Sequence, residues 1–293
     1  MSILLQISDT HFGTEQPKVA EALVELAAQQ RPDVVMLSGD ITQRARPAQF
    51  RAAKAFVDRL GVPVLAVPGN HDIPLFDLWA RLHRPYSRYI AAFGADLEPL
   101  YRSHDLLVVC VNTTRAWRHK HGEISGLQVD QVSRLLEDSG SAQLRVVVIH
   151  QPVAVTRDED LPNLVRGHAA ALQRWAEAGA DLVMGGHIHL PYVMALQDLA
   201  RPIWAVQAGT AVSSRVRKGV PNSVNLLRWG ADSASGCCQI EQWDFLADVG
   251  AFVRAKLSEV RPARAGAWAA EGLDLGQPMN PGMSLKLKLN RTD

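Results

Sequence analysis

Only three of the 293 residues are cysteine: Cys110, Cys237 and Cys238. Three cannot build a disulfide framework, and an adjacent pair bridges only with strain, so a reduced, cytoplasmic setting is expected. Long apolar runs are missing as well. The strictly apolar stretches are short, such as residues 106–111, against the ~20 residues a membrane-spanning helix needs. No membrane partner is expected. The opening MSILLQISDTHFG lacks a basic region and a cleavage motif, so no signal peptide is expected. Neither sign of charge is in excess: 31 Lys and Arg stand against 30 Asp and Glu, a formal net charge of +1. No global field therefore draws the chain to nucleic acid or to an anionic surface. With 47% hydrophobic and 21% charged residues, disorder is excluded for the bulk of the chain. What is left is a globular protein with room for a large core.

Its first 70 residues alternate between two periodicities. Residues 3–8 form an apolar run. Residues 17–30 place Val19, Leu23 and Leu26 at helical spacing behind Pro17, which suits a first helical turn. A strand is expected at 33–38, a helix at 47–60 and a third strand at 63–67. Such alternation marks βαβ units and a parallel sheet. Residues 73–104 have no clean period and read as short helices and loops. Further strands are expected at 106–111, 145–149 and 181–184, with helices at 128–138 and 169–178. Strand candidates at 192–196, 203–206, 224–229 and 237–243 lie close together, as in antiparallel pairing. Residues 245–260 carry Leu246, Val249, Phe252, Val253 and Leu257 at helical spacing, and a helix is expected there. One domain over 1–260 and an extension over 261–293 are expected. The segment 254–293 has seven basic against four acidic residues, too weak an excess for nucleic acid; a disordered or homodimer-packing tail fits better.

The chemistry gathers where strands end. Asp9-Thr10-His11 follows the first strand, Gly39-Asp40 the second and Gly69-Asn70-His71-Asp72 the third. His150 follows the strand at 145–149, and Gly186-His187-Ile188-His189 follows that at 181–184. In a parallel sheet the carboxyl ends of strands share one edge, so these loops should converge on one crevice. Carboxylates, imidazoles and a carboxamide are ligands that Mn, Fe, Zn or Ni accept. The absence of cysteine from the set argues against a structural zinc. Seven ligand-capable residues (Asp9, His11, Asp40, Asn70, His150, His187 and His189) exceed what one open catalytic ion takes, and suit two ions sharing a carboxylate. The D-x-H and H-x-H spacings would aim alternate side chains of an extended segment the same way. The glycines would let backbone approach a phosphate. Taken singly, each piece reads as a capping Asp, a turn or a surface His. Five together, each after an apolar strand, do not.

The set Asp-x-His, Gly-Asp, Gly-Asn-His-Asp, His and Gly-His-x-His resembles the calcineurin-like binuclear metallophosphoesterases, over roughly residues 3–210. The phrases ISDTHFG, SGDIT and VPGNHD are most similar to the bacterial class III cyclic nucleotide phosphodiesterase branch. The resemblance implies a four-layer αββα sandwich of two mixed sheets flanked by helices. It implies two ions (Mn, Fe or Zn): one on Asp9, His11 and His189, the other on Asn70, His150 and His187, with Asp40 bridging. A hydroxide bridging the ions would attack phosphorus. His71 would contact the phosphate and protonate the leaving group, with Asp72 orienting it, and Asn70 and Arg115 would help bind substrate. Gln151 stands where many relatives have a second His, and GNHD rather than GNRD argues against the lipid A precursor hydrolases.

The expected function is metal-dependent hydrolysis of a small phosphodiester, with 3′,5′-cyclic nucleotides as the candidate class. The alternatives are a phosphomonoesterase or nuclease on the same site, or a non-catalytic scaffold. Filled ligand positions disfavour the scaffold. The basic residues Arg44, Arg46, Arg51, Lys54 and Arg59 are expected to be a solvated helix face rather than a nucleic-acid track. No Lys or Arg lies inside the five blocks, so a monoester dianion would need a cation from a loop, such as Arg84 or Arg115. Diesters are therefore expected to be the better substrates.

Overall fold

The structure is a computed structural model, and it describes residues 1–230 and 236–263. In chain order its elements are β1 (Ser2–Ile7), α1 (Pro17–Gln30), β2 (Val34–Ser38), α2 (Pro47–Arg59) and β3 (Val64–Val67). Next come α3 (Leu78–His83), α4 (Ser87–Phe93), β4 (Leu100–Arg102), β5 (Leu106–Cys110), α5 (Gly126–Glu137) and β6 (Leu144–Val148). The rest are α6 (His168–Ala178), β7 (Leu182–Gly185), β8 (Tyr192–Leu196), β9 (Ile203–Gln207), β10 (Ser223–Trp229), β11 (Cys238–Leu246) and β12 (Ala251–Val260).

The strands read as unbroken apolar runs because both of their faces are covered. Alternate residues of one strand enter different cores. Leu5 and Ile7 of β1 and Val35 and Leu37 of β2 pack outward on Val19, Leu23, Phe50 and Phe56 of α1 and α2. Leu4, Val34 and Met36 point the other way, onto Val108, Val146, Val148 and Met184 of the facing sheet. Leu107, Val109 and Val147 of that sheet turn outward again, against Val132 of α5 and Trp175 of α6. Helix, sheet, sheet, helix is the result, the expected αββα sandwich. One six-stranded sheet runs β12-β11-β10-β1-β2-β3, the other β4-β5-β6-β7-β9-β8. Both are mixed. In the first, β1-β2 and β2-β3 are parallel; in the second, β5-β6, β6-β7 and β7-β9 are.

Two expectations need correction. Residues 245–260 are not a helix. Gly250 at φ +71° ends a turn closed by its N–H on the Leu246 carbonyl, and β12 returns along β11 with Phe252 opposite Phe245. The helical spacing of the apolar residues was coincidental, since Val253 and Leu257 are exposed, while pairing with β11 satisfies the backbone of an otherwise open edge. The strands after residue 190 pair antiparallel as expected, β8 with β9 and β10 with β11, but β9 also pairs in parallel with β7. β8 and β9 join the second sheet, whereas β10, β11 and β12 extend the first beside β1. β4 falls in the stretch read as helices and loops. Residues 1–262 form one compact unit, and the extension from 264 onward lies outside the described residues. No helix among the described residues is long and apolar enough to cross a membrane.

Candidate metal centre

The parallel strands β1, β2 and β3 of one sheet and β6 and β7 of the other end side by side. Hydrogen bonds stitch these ends across the sheets: Gln6 Nε2 donates to the Gly185 carbonyl at 3.0 Å, and the His187 N–H to Asp9 Oδ2 at 2.9 Å. All seven candidate ligands come together here. Asp9, His11 and His189 form one group, and Asp40, His150 and His187 another, with ligand atoms in each group within 4.8 Å of one another. His11 Nε2 lies 3.8 Å from Asp40 Oδ2, so Asp40 stands between the groups. Asn70 Oδ1 joins the second at 3.3 Å from His150 Nε2.

The groups converge by backbone strain rather than by strand alternation. Asp9, His11, Asp40, His187 and His189 all have positive φ, between 41° and 74°. They make up five of the eight non-glycine residues in that region among those described. Each such conformation costs about 1–3 kcal/mol and persists only where the surroundings enforce it. The extended-segment reading of D-x-H and H-x-H is thus corrected. Two glycines serve the ligands rather than a phosphate. A Cβ on Gly39, whose φ is +91°, would lie 2.3 Å from His150 Nδ1, and one on Gly69 would lie 2.2 Å from Asp40 Oδ1.

The donor set fits cations. Asp9 Oδ1 and His187 Nδ1 are buried with no hydrogen-bond partner, a costly state for polar atoms unless an ion lies among them. Burial pushes the His11 and His187 imidazoles down to about 3, so both present free lone pairs at neutral pH. Burial alone would raise Asp9 and Asp40, but neighbouring His189 and His150 overcome it, and both carboxyls sit well below the ordinary range. Burial would lower His150, yet Asp40 outweighs it and the imidazole is pushed up to about 9. Two buried carboxylates thus draw positive charge into the site, as protons on His150 and His189 or as metal ions.

Sequence comparison agrees with this chemistry. Residues 3–191 match the family model for calcineurin-like phosphoesterases. The chain belongs to that family. As a member it is a metal-dependent phosphoric ester hydrolase. A probable cyclic nucleotide phosphodiesterase of Synechococcus is 25% identical over 65% of this chain and 74% of its own length. A cAMP/cGMP dual specificity phosphodiesterase of Mycobacterium tuberculosis is 24% identical over 64% of this chain and 61% of its own length. A glycerophosphodiester phosphodiesterase of Enterobacter lignolyticus is 36% identical, but the match spans only 24% of this chain and 29% of that protein. Among solved structures, a dimetal phosphatase from Danio rerio superposes with a TM-score of 0.64 at 16% identity, covering 89% of this chain and 99% of that one. That likeness establishes the fold.

Around the centre of this phosphoesterase, two residues behave differently from expectation. Arg115 does not reach it. Its guanidinium donates to the carbonyls of Asn112 and Thr114 and to Gln128 Oε1, at 2.9, 2.8 and 2.7 Å, and braces the start of α5. Asp72 does not touch the His71 ring. Its carboxylate accepts from the N–H groups of Ile41, Thr42 and Gly69 and from Thr42 Oγ1, clamping the β2 and β3 loops together. The ring is oriented instead by the Gln43 carbonyl, 2.9 Å from His71 Nδ1. Asp72 therefore fixes the segment from Ile41 to Thr42 that leads to Gln43, rather than the His71 ring itself. Burial, then Asp40, pushes the Asp72 carboxyl up to about 6.

Arg215 is the residue the sequence reading missed. Its Nη1 lies 3.3 Å from His71 Nε2, 3.3 Å from His11 Nδ1 and 3.0 Å from Gln43 Oε1. Its carbonyl accepts from His189 Nδ1 at 2.5 Å. The mouth beside His71 is a small cleft lined by Gln43, Arg44, Asn70, Arg81 and His119. Arg84 packs on Trp79 instead. A larger groove, about 550 Å³, lies along α5 and holds none of the candidate ligands.

Proposed function

We propose that this chain hydrolyses phosphodiesters, with 3′,5′-cyclic nucleotides as the substrate class, by attack of hydroxide at phosphorus. The observation that carries the reading is the pair of ligand groups with Asp40 between them and His71 alongside, its ring fixed by Gln43. Asp9, His11 and His189 are assigned to one ion, and Asn70, His150 and His187 to the other, with Asp40 common to both. Mn, Fe or Zn at these positions supplies a water of lowered pKa and positive charge at the phosphate oxygens.

The remaining work falls to the protein. Ser38 and Arg215 hold His150 and His189 through their backbone carbonyls, 2.9 and 2.5 Å from the respective Nδ1 atoms, which turns each Nε2 toward the centre. Such hydrogen bonds fix the tautomer of a ligating histidine. His71 donates from Nδ1 to Gln43, so Nε2 is the atom that carries a proton to the departing alkoxide. No covalent intermediate on the enzyme is required. The phosphodiesterase names of the Synechococcus and Mycobacterium relatives support the diester class. A nuclease gains little from α2, whose Lys54 and Arg59 pair with Asp58 and Glu21.

The test is a panel of cyclic nucleotides, bis-p-nitrophenyl phosphate and p-nitrophenyl phosphate on Mn-loaded protein. Turnover of the diesters, lost on chelation and restored by Mn, is expected. A preparation holding two ions per chain that hydrolyses none of the panel would make the chain a scaffold.

A further inference from the structure

We propose that Arg215 is a substrate-binding residue that grips a non-bridging phosphate oxygen, and that it gives the site its capacity for dianionic monoesters. The inference rests on the phosphoesterase reading of the centre and deepens it. Diesters carry one negative charge and monoesters two, so a third cation at the site bears directly on which is held.

The backbone of this residue is anchored to the ligands. The Arg215 carbonyl accepts from His189 Nδ1 and, at 3.0 Å, from Thr210 Oγ1, while its N–H donates to Ser213 Oγ at 3.0 Å. The half-buried side chain is thereby carried to the centre without a free hinge at its base. There the guanidinium has poor partners. With an ion held on His11 Nε2, the proton of the neutral ring would sit on Nδ1, and the contact with Arg215 Nη1 at 3.3 Å would set donor against donor. Gln43 Oε1 remains as an acceptor, while His71 Nε2 can accept only in the ring form that holds no proton for a leaving group, so a group with five N–H donors is left short. Among the described residues, no carboxylate pairs with it.

Positive charge placed beside two cation positions is repelled unless an anion shares the space. A phosphoryl group supplies that anion. Guanidinium is suited to it, because planar donors match phosphate oxygens and the charge persists at any working pH. The contact at 3.3 Å with His71 Nε2 also puts Arg215 beside the residue assigned as proton donor. On binding, a phosphate oxygen replaces the weak histidine contacts.

The experiment compares wild type, Arg215→Ala and Arg215→Lys, all Mn-loaded, with metal content measured for each. The variants leave the backbone bonds to His189 and Thr210 in place, so two ions per chain are expected throughout. For Arg215→Ala, kcat/KM for p-nitrophenyl phosphate should fall roughly 10- to 100-fold, the worth of a charge-assisted hydrogen bond. The loss on bis-p-nitrophenyl phosphate should be several-fold smaller. Inorganic phosphate, followed by calorimetry without turnover, should bind more weakly by a similar factor, and Arg215→Lys should recover part of both losses. Equal losses on the two esters, unchanged phosphate affinity, or loss of metal would each overturn the proposal. So would losses that track the basicity of the leaving group, since Arg215 would then act through His71. A wild type that binds phosphate but turns over no ester would sink the hydrolase reading while leaving the Arg215 comparison intact.

Discussion

Asp40→Asn is the sharpest test of the dinuclear centre, because it removes charge while keeping shape. Asp40 is 2% exposed, and its Oδ1 accepts from the His71 N–H at 2.8 Å. An asparagine oxygen can keep that bond, so the loop carrying His71 should hold. What is lost is the carboxylate lying 3.2 Å from His150 Nε2 on one side and 3.8 Å from His11 Nε2 on the other. Removing a group that merely supports a ligand costs about 10–100-fold in metal affinity, and a shared ligand should cost at least the upper figure at both positions. An ion at one hundred times its Kd stabilises the fold by about 2.7 kcal/mol; weakened 100-fold, it contributes only ~0.4 kcal/mol. At roughly 2–4 °C per kcal/mol for a domain of this size, the metal-dependent rise in Tm should shrink by about 5–9 °C for each ion. The assays are metal content after gel filtration, a thermal scan with and without Mn, and diester turnover. Two retained ions with turnover within threefold of wild type would refute the bridging role and, with it, the two-group arrangement.

The other perturbations separate the parts of the site. His71→Ala should keep both ions and lower kcat roughly 10²–10⁴-fold on a diester with a basic leaving group, but far less when p-nitrophenolate departs and needs no proton. Metal loss in that variant would show that His71, whose ring nitrogen lies within 4.8 Å of ligand atoms of His11 and Asp40, is itself a ligand. Asp72→Asn faces an amide N–H₂ toward the donors of Ile41, Thr42 and Gly69, and urea unfolding should report a loss of about 2–4 kcal/mol; an unchanged midpoint would mean that the clamp is idle. Gly39→Ala drives a Cβ against His150 at a backbone angle few side chains adopt, so the ion on Asn70, His150 and His187 should be lost selectively. Full occupancy there would mean that the loop moves freely.

Much of the fold was readable because the buried strands are short apolar runs separated by well-marked helices. α1 begins at Pro17 and ends at Gln30 as its spacing predicts, and α2 begins at Pro47. The hairpin of β11 and β12 was not readable. Period alone does not tell an amphipathic helix from an edge strand when Leu246, Val249, Phe252, Val253 and Leu257 fit the former and only pairing with β11 selects the latter. Tertiary partners decided that segment, and local spacing could not.

The site shows the same division between what a sequence carries and what topology adds. The seven candidate ligands, which the fold brings together, were legible because each follows a strand and carries chemistry that its neighbours lack. Parallel strands present their carboxyl ends along one edge, which gathers these residues. The same rule places the loop of Arg215 there. β9 pairs with β7 in parallel, so the loop leaving Gln207 opens at the same edge as the loops after β1, β2, β3, β6 and β7. Grouping β9 with the closely spaced antiparallel strands hid that loop. Arg115 was favoured instead, since it too follows a strand, β5, of the same parallel set. The difference between them lies in acceptors. Asn112, Thr114 and Gln128 take up donors of Arg115, whereas among the described residues the Arg215 guanidinium meets Gln43 and two imidazoles. Which of two strand-end arginines stands free to turn toward the ligand groups is thus set by which one the fold leaves short of partners, and no spacing rule encodes that.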